Sequence, residues 1–394
     1  MSAILSLFNI ISIFYVFRSL QLSATIWREW QTLQLPPLTH HQKQLAEQAS
    51  FFIAVPVGVF FHEFSHALAT WASGGQVAQF AYRVFWGFIV PQGSFTPTQD
   101  WFISLAGTLG SLLFGLAIWL IFRHSAKPAL RYFGLRAFRF QTYFSLIYYP
   151  VFTLLGFEGD WATIYNFSAT PLWSGVTAVF HLLLLFLFWQ GDRRGWFEMI
   201  AYRDVADQQA FEQLTAVNSY DEQSQLQHIA SLRRGGAVNQ AKTALRAFLA
   251  QNPNNGAAHL EMAALLSNGK HHTPTAALDN ARKALSLGLP NNASTAYAHQ
   301  LLGSYSLDVG RLDEAINHFS QGIALLQTIA ESEQPAAQLA YLFRQRSLTQ
   351  RSRGQHDDAL QDMQQAVTQA QRTGNEKIIH YYQNEFAALQ PQNR

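Results

Sequence analysis

His62, Glu63 and His66 stand in the order His-Glu-x-x-His inside the apolar run FFIAVPVGVFFHEFSHALATW. On a helix, positions four apart share a face, so two imidazoles could grip one metal ion while Glu63 reaches a water beside it. That is the chemistry of metal-assisted hydrolysis. Zinc lowers the pKa of a water it binds toward about 7, and a carboxylate takes the proton and passes it to the leaving amine. The competing reading is an apolar span whose polar groups merely face neighbouring helices. It leaves unexplained the roughly 3 kcal/mol or more that an acidic group costs at the centre of a membrane helix. The chain has no Cys, so a metal must be held by His, Asp or Glu.

A catalytic zinc takes three protein ligands and keeps one position open. The sequence LLGFEGDWATIYNF offers Glu158 and Asp160 amid apolar residues. Residues flanking the Gly159-Asp160 pair can turn the chain inward, which favours Asp160 as third ligand over Glu158. The bland alternative is that both carboxylates are solvated in a short loop. His181, in a later apolar stretch, is a candidate for a ligand or for a hydrogen bond to the scissile group, and otherwise a satisfied core histidine.

These residues need elements to place them, and composition indicates which. An apolar share of 49% with only 13% charged residues argues against a purely soluble chain of 394 residues. Most of the 31 Phe and 10 Trp precede residue 190, after which Gln, Ala, Asn and ordinary charge take over. A bilayer core needs about 20 apolar residues per helix. The stretches 3–18, 51–71, 101–122, 140–157 and 173–189 qualify or nearly so, giving about five spans. The segment from Gly74 to Asp100, broken by Gly, Pro and Arg83, reads as a re-entrant or strand-like hairpin packed against protein. Pro56 and Gly58 loosen or kink the second span, and Gly107, Ser111 and Gly115 form a small-residue stripe on the third for close packing. Lys and Arg fall between spans one and two, between three and four, and after five. That alternation places the N-terminus outside and the C-terminal region in the cytoplasm. A net charge of +2 without a basic stripe excludes nucleic acid as a partner.

The run from Phe60 to Leu120, with FFHEFSHALATWASGG, the hairpin-like segment and SLAGTLGSLLFG, resembles the site-2 protease class of intramembrane zinc metalloproteases. The resemblance implies His62 and His66 as zinc ligands, Glu63 as catalytic base and Asp160 as third ligand. The usual Asn-x-x-Pro-x-x-x-Leu-Asp-Gly of that family is not reproduced. Pro150 is present, but Ile147 occupies the Asn position, and the acidic residue comes later, in Gly159-Asp160-Trp161. No oxyanion-stabilising Asn is carried over.

Beyond residue 220, apolar residues fall at helical spacing in paired segments. Four of these segments align on Ala241, Ala277, Ala315 and Ala359, at spacings of 36, 38 and 44. They resemble the second helix of a tetratricopeptide repeat, with Leu302-Gly303 and Gly310 in the best copy. The expectation is four helix pairs and a capping helix from about Glu376 to Leu389. Together the sequence predicts a mainly α chain: a polytopic membrane domain over 1–189, a juxtamembrane linker over 190–220 and an α-solenoid of helix pairs over 221–394. The predicted function is a multi-pass zinc metalloendopeptidase cleaving a membrane-protein substrate within or beside the bilayer. Its repeats bind a protein or peptide partner. The alternatives are a catalytically inactive membrane scaffold that presents the repeats and, more remotely, zinc transport.

Overall fold

The computed structural model describes residues 2–156, 159–216, 221–268, 272–329 and 335–390. The chain divides into two units, Met1–Asn218 with Arg234–Gln240, and Ser219–Arg233 with Ala241–Arg394.

The first unit comprises α1 (Ser2–Arg28), α2 (Trp30–Leu33), α3 (His40–Phe52), α4 (Ala54–Ala72), β1 (Gln76–Tyr82), β2 (Gly87–Gln92), α5 (Pro97–Phe122), α6 (Pro128–Tyr143), a π-helical turn (Phe144–Tyr148), α7 (Tyr149–Leu154), α8 (Asp160–Ile164), α9 (Pro171–Arg193) and α10 (Val205–Ala216). Among the described residues four helical stretches are long and apolar enough to cross a membrane: Asn9–Arg28, His40–Ala72, Pro97–Phe122 and Pro171–Arg193. The first lies within α1, which also contains the 3–18 expected. The stretch 140–157, expected as a further span, holds the end of α6, the π-helical turn and α7 up to Leu154. Pro150 interrupts the backbone ladder there by lacking an N–H.

The segment after α4 takes the strand-like form. β1 and β2 pair antiparallel from Gln76↔Gln92 to Tyr82↔Gly87, with an irregularity between Val77 and Gln79. The turn uses Val84 at a φ of 69°, and the hairpin packs on α4.

Helix α4 begins just past a break at Ile53 and carries Pro56 in its first turn. Proline cannot donate to the carbonyl four residues back, so Phe52 loses its partner there. Ser19 Oγ supplies it at 2.5 Å. Two nearby carbonyls are capped in the same way, Ala54 by Gln141 Nε2 at 3.0 Å and Pro56 by Tyr82 Oη at 3.0 Å. Gly58 leaves room for this: a Cβ there would sit 2.3 Å from the Gln141 amide. The predicted weak turn is thus pinned by side chains from α1, β1 and α6.

Basic residues of the first unit converge on backbone and carboxylates. Lys43 Nζ donates to the carbonyls of Met199, Gly235 and Gly236 at 2.7, 2.9 and 3.1 Å. Arg136 pairs with Glu47, and Arg139 with Asp192 at 2.7 Å.

The second unit is a run of helices: α11 (Glu222–Arg234), α12 (Val238–Gln251), α13 (Gly256–Ser267), α14 (Thr275–Leu287), α15 (Asn292–Asp308), α16 (Leu312–Gln327), α17 (Ala336–Ser352), α18 (His356–Arg372) and α19 (Glu376–Leu389). Helices pack as consecutive pairs, α13 on α14, α15 on α16 and α17 on α18, with α19 against α18. Ala241, Ala277, Ala315 and Ala359, the positions on which the repeats align, are all at most 1% exposed. Small side chains there let paired helices approach. At Gly303 the need is direct, since a Cβ would lie 2.6 Å from the fully buried Phe319 ring.

Candidate metal centre

Helix α4 presents His62 and His66 one turn apart, and α8 brings Asp160 to them from nearly a hundred residues away. Nε2 of His62 and Nε2 of His66 each lie 3.0 Å from Asp160 Oδ2, and the two nitrogens lie 3.1 Å from each other. Ligands of a tetrahedral ion with bonds of about 2.0–2.1 Å stand about 3.3 Å apart, so one small cation matches this spacing. Among the described residues this is the one cluster of three His, Asp or Glu that could hold a metal ion.

The surrounding hydrogen bonds fix which atoms face inward. His66 Nδ1 lies 2.6 Å from the carbonyl oxygen of Ile103 on α5. A carbonyl only accepts, so Nδ1 carries the proton, and in the neutral ring Nε2 turns an unshared pair toward Asp160. His62 Nδ1 is 3.3 Å from Ser111 Oγ, also on α5. Two rings and a carboxylate oxygen thereby aim electron pairs at one point, and a positive charge among them relieves the repulsion. That donor set fits zinc and similar divalent ions.

The helix behind the site is shaped to allow it. At Gly107 of α5 a Cβ would come within 2.2 Å of His66 Nε2 and 2.7 Å of His62 Nε2, so only glycine leaves the rings in place. Ser111 and Gly115 continue the stripe, one bonding His62 and the other lying against Gln141. Glu63 is buried at 6% exposure beneath β2, where a Cβ on Gly87 would fall 2.6 Å from its Cγ.

Residues 53–220 match the family described as Peptidase M50B-like. The match covers less than half of the chain but includes α4, the hairpin, α5 and α8. Over those residues the chain is similar to a membrane metallopeptidase family of the site-2 protease kind, in line with the motif resemblance. None of the curated proteins matches the chain. The crystal structure of MamA is similar over 44% of this chain and 98% of its own length, at 17% identity and a TM-score of 0.31.

Within the M50B-like region, the other sequence candidates fall differently. Glu158, the alternative ligand, lies outside the described residues. His181 on α9 is not in the cluster. Its Nε2 donates to the Leu146 carbonyl at 2.7 Å, its Nδ1 pairs with Tyr165 Oη, and its ring lies over Trp161 with centroids 4.5 Å apart. It is the satisfied histidine of the two readings. Sequence reasoning did not single out Tyr149, whose hydroxyl donates to Asp160 Oδ2 at 3.0 Å and accepts from the Asp160 N–H at 3.2 Å. The one available signal was its place beside Pro150, where a helix changes its hydrogen bonding.

Proposed function

We propose that the chain is an intramembrane zinc metalloendopeptidase that hydrolyses a peptide bond of a membrane protein within or beside the bilayer. The observation that carries this reading is the meeting of His62, His66 and Asp160 at 3.0–3.1 Å, with Glu63 buried on the same helix. An ion bound there supplies Lewis-acid activation of water and of the scissile carbonyl. The protein's own groups do the rest. Ile103 and Ser111 orient the two rings through their Nδ1 atoms, and Glu63 accepts a proton from the attacking water and returns it to the leaving amide nitrogen. Water adds across the C–N bond, giving one carboxylate and one amine. A substrate helix must unwind to offer its carbonyl, since helical carbonyls are already engaged.

The bilayer contacts follow from α1, α4, α5 and α9. On this reading the convergence of Lys43, Arg136 and Arg139 marks the cytoplasmic face, and the repeat unit recruits a protein or peptide partner there. The test is Glu63→Gln in full-length protein, assayed against membrane-spanning substrates. The variant keeps its metal and loses cleavage by about two to four orders of magnitude. Processing at the wild-type rate sinks the hydrolytic reading and leaves a membrane scaffold for the repeats.

A further inference from the structure

The third carboxylate is held by a chain of contacts that begins on α9. Pro150 has no N–H to give to the Leu146 carbonyl, its partner in an α-helical ladder, and His181 Nε2 donates to that carbonyl at 2.7 Å. The Nε2 proton fixes the tautomer, so Nδ1 accepts from Tyr165 Oη. The backbone on either side runs as a π-helical turn, with the Tyr149 N–H bonded back to the Phe144 carbonyl. This turn sets the direction of Tyr149. The phenol then holds Asp160 twice, donating to Oδ2, the oxygen that faces both imidazoles, and accepting from its backbone N–H. The Tyr149 ring also meets the His62 ring edge to face, with centroids 5.5 Å apart. Trp161, the residue after Asp160, lies against His181.

Resting on the metal-centre reading, we propose that Tyr149 is a positioning residue for Asp160 and that His181 acts through it by fixing the π-helical turn. Tyr149 aims one carboxylate oxygen at the histidines and leaves the other out of the ligand set. Ile147 stands three residues before Pro150, and the phenol is a polar group that this chain sets beside Asp160.

The test uses full-length protein in detergent, stripped of metal and titrated with Zn²⁺ or with Co²⁺, whose visible spectrum reports ligand geometry. Tyr149→Phe keeps the ring and removes the hydroxyl. The expected result is metal binding weaker by roughly ten- to a hundredfold, with an altered Co²⁺ spectrum and an unchanged unfolding temperature of the metal-free protein. His181→Phe gives a smaller loss of the same kind, and the double variant binds no more weakly than Tyr149→Phe alone, because both act on one contact. Wild-type affinity and spectrum in Tyr149→Phe, alongside weak binding by Asp160→Ala, overturn the proposal while the metal centre stands. Multiplying losses in the double variant overturn the action of His181 through Tyr149. Absence of metal binding in the wild type itself removes the metal centre and this proposal with it.

Discussion

The two units differ in the balance of polar and apolar residues that they bury and expose. In the first, Glu63, His66, Thr70, Thr108, Ser111, Gln141, Ser174 and His181 are inside, while Leu113, Phe180 and Leu182 are more than 60% exposed. In the second, Ala241, Leu245, Ala277, Phe319, Leu342 and Met363 are at most 1% exposed, and most charges lie outside, the buried Asp362 being paired with Arg346. The difference follows from the solvent. Water drives apolar surface inward, whereas lipid tails accept it, so helices in a membrane associate through small and polar groups. Groups able to do chemistry are therefore concentrated in the membrane unit, where His66, Gln141 and His181 each bond to a neighbouring element. The repeat unit offers shape.

The contrast can be broken most severely at Gly107. Replacing it with Val forces a side chain into the His62 and His66 rings, and metal content of the purified protein should fall to near zero, read by elemental analysis. The repeat unit should be indifferent, with unchanged hydrogen exchange in α15 and α16. Retention of a full equivalent of metal would show that the rings have room that the geometry denies.

The converse change is Phe319→Ala. Removing a fully buried ring from between α15 and α16 should destabilise the second unit by about 3–5 kcal/mol, seen as loss of exchange protection there, with metal content unaltered. An effect on metal content would couple the two chemistries.

The smallest effect separates the units by pH. The Arg344 guanidinium, hydrogen-bonded to Glu385 on α19, holds that carboxyl below its ordinary value. A depressed folded-state pKa stabilises above the unfolded value near 4.3 and loses that contribution as pH falls through the folded value. Protection of α19 should weaken below about pH 4 by no more than about 1 kcal/mol, since the pair is partly exposed. Arg344→Met should remove the dependence, and a persisting one would assign it to other groups.

Much of this was legible in the residues, for reasons that differ between the units. His62, Glu63 and His66 share one helix, so their spacing alone encodes a common face. The repeats were legible through Ala241, Ala277, Ala315 and Ala359, because a small residue recurring at a helix crossing leaves a local signature. Helix α19 ends where the pattern ends, at Leu389. Over 140–157 hydropathy gave the apolar stretch but not the π-helical turn before Pro150, because that turn depends on a hydrogen-bonding pattern and not on apolarity. Tyr149, Ser111 and the Ile103 carbonyl were silent for another reason. Their roles exist only once α5, α7 and α8 meet α4, and no spacing within one element encodes that meeting.

The central claim is that two imidazoles and the Asp160 carboxylate are assembled to hold a divalent cation. Metal content of full-length protein, purified without chelator and compared among wild type, Glu63→Gln, His62→Ala and Asp160→Ala, tests it most directly. The account predicts one equivalent of zinc in the wild type and in Glu63→Gln, and little in His62→Ala or Asp160→Ala. A full equivalent in Asp160→Ala, or none in the wild type, would contradict it.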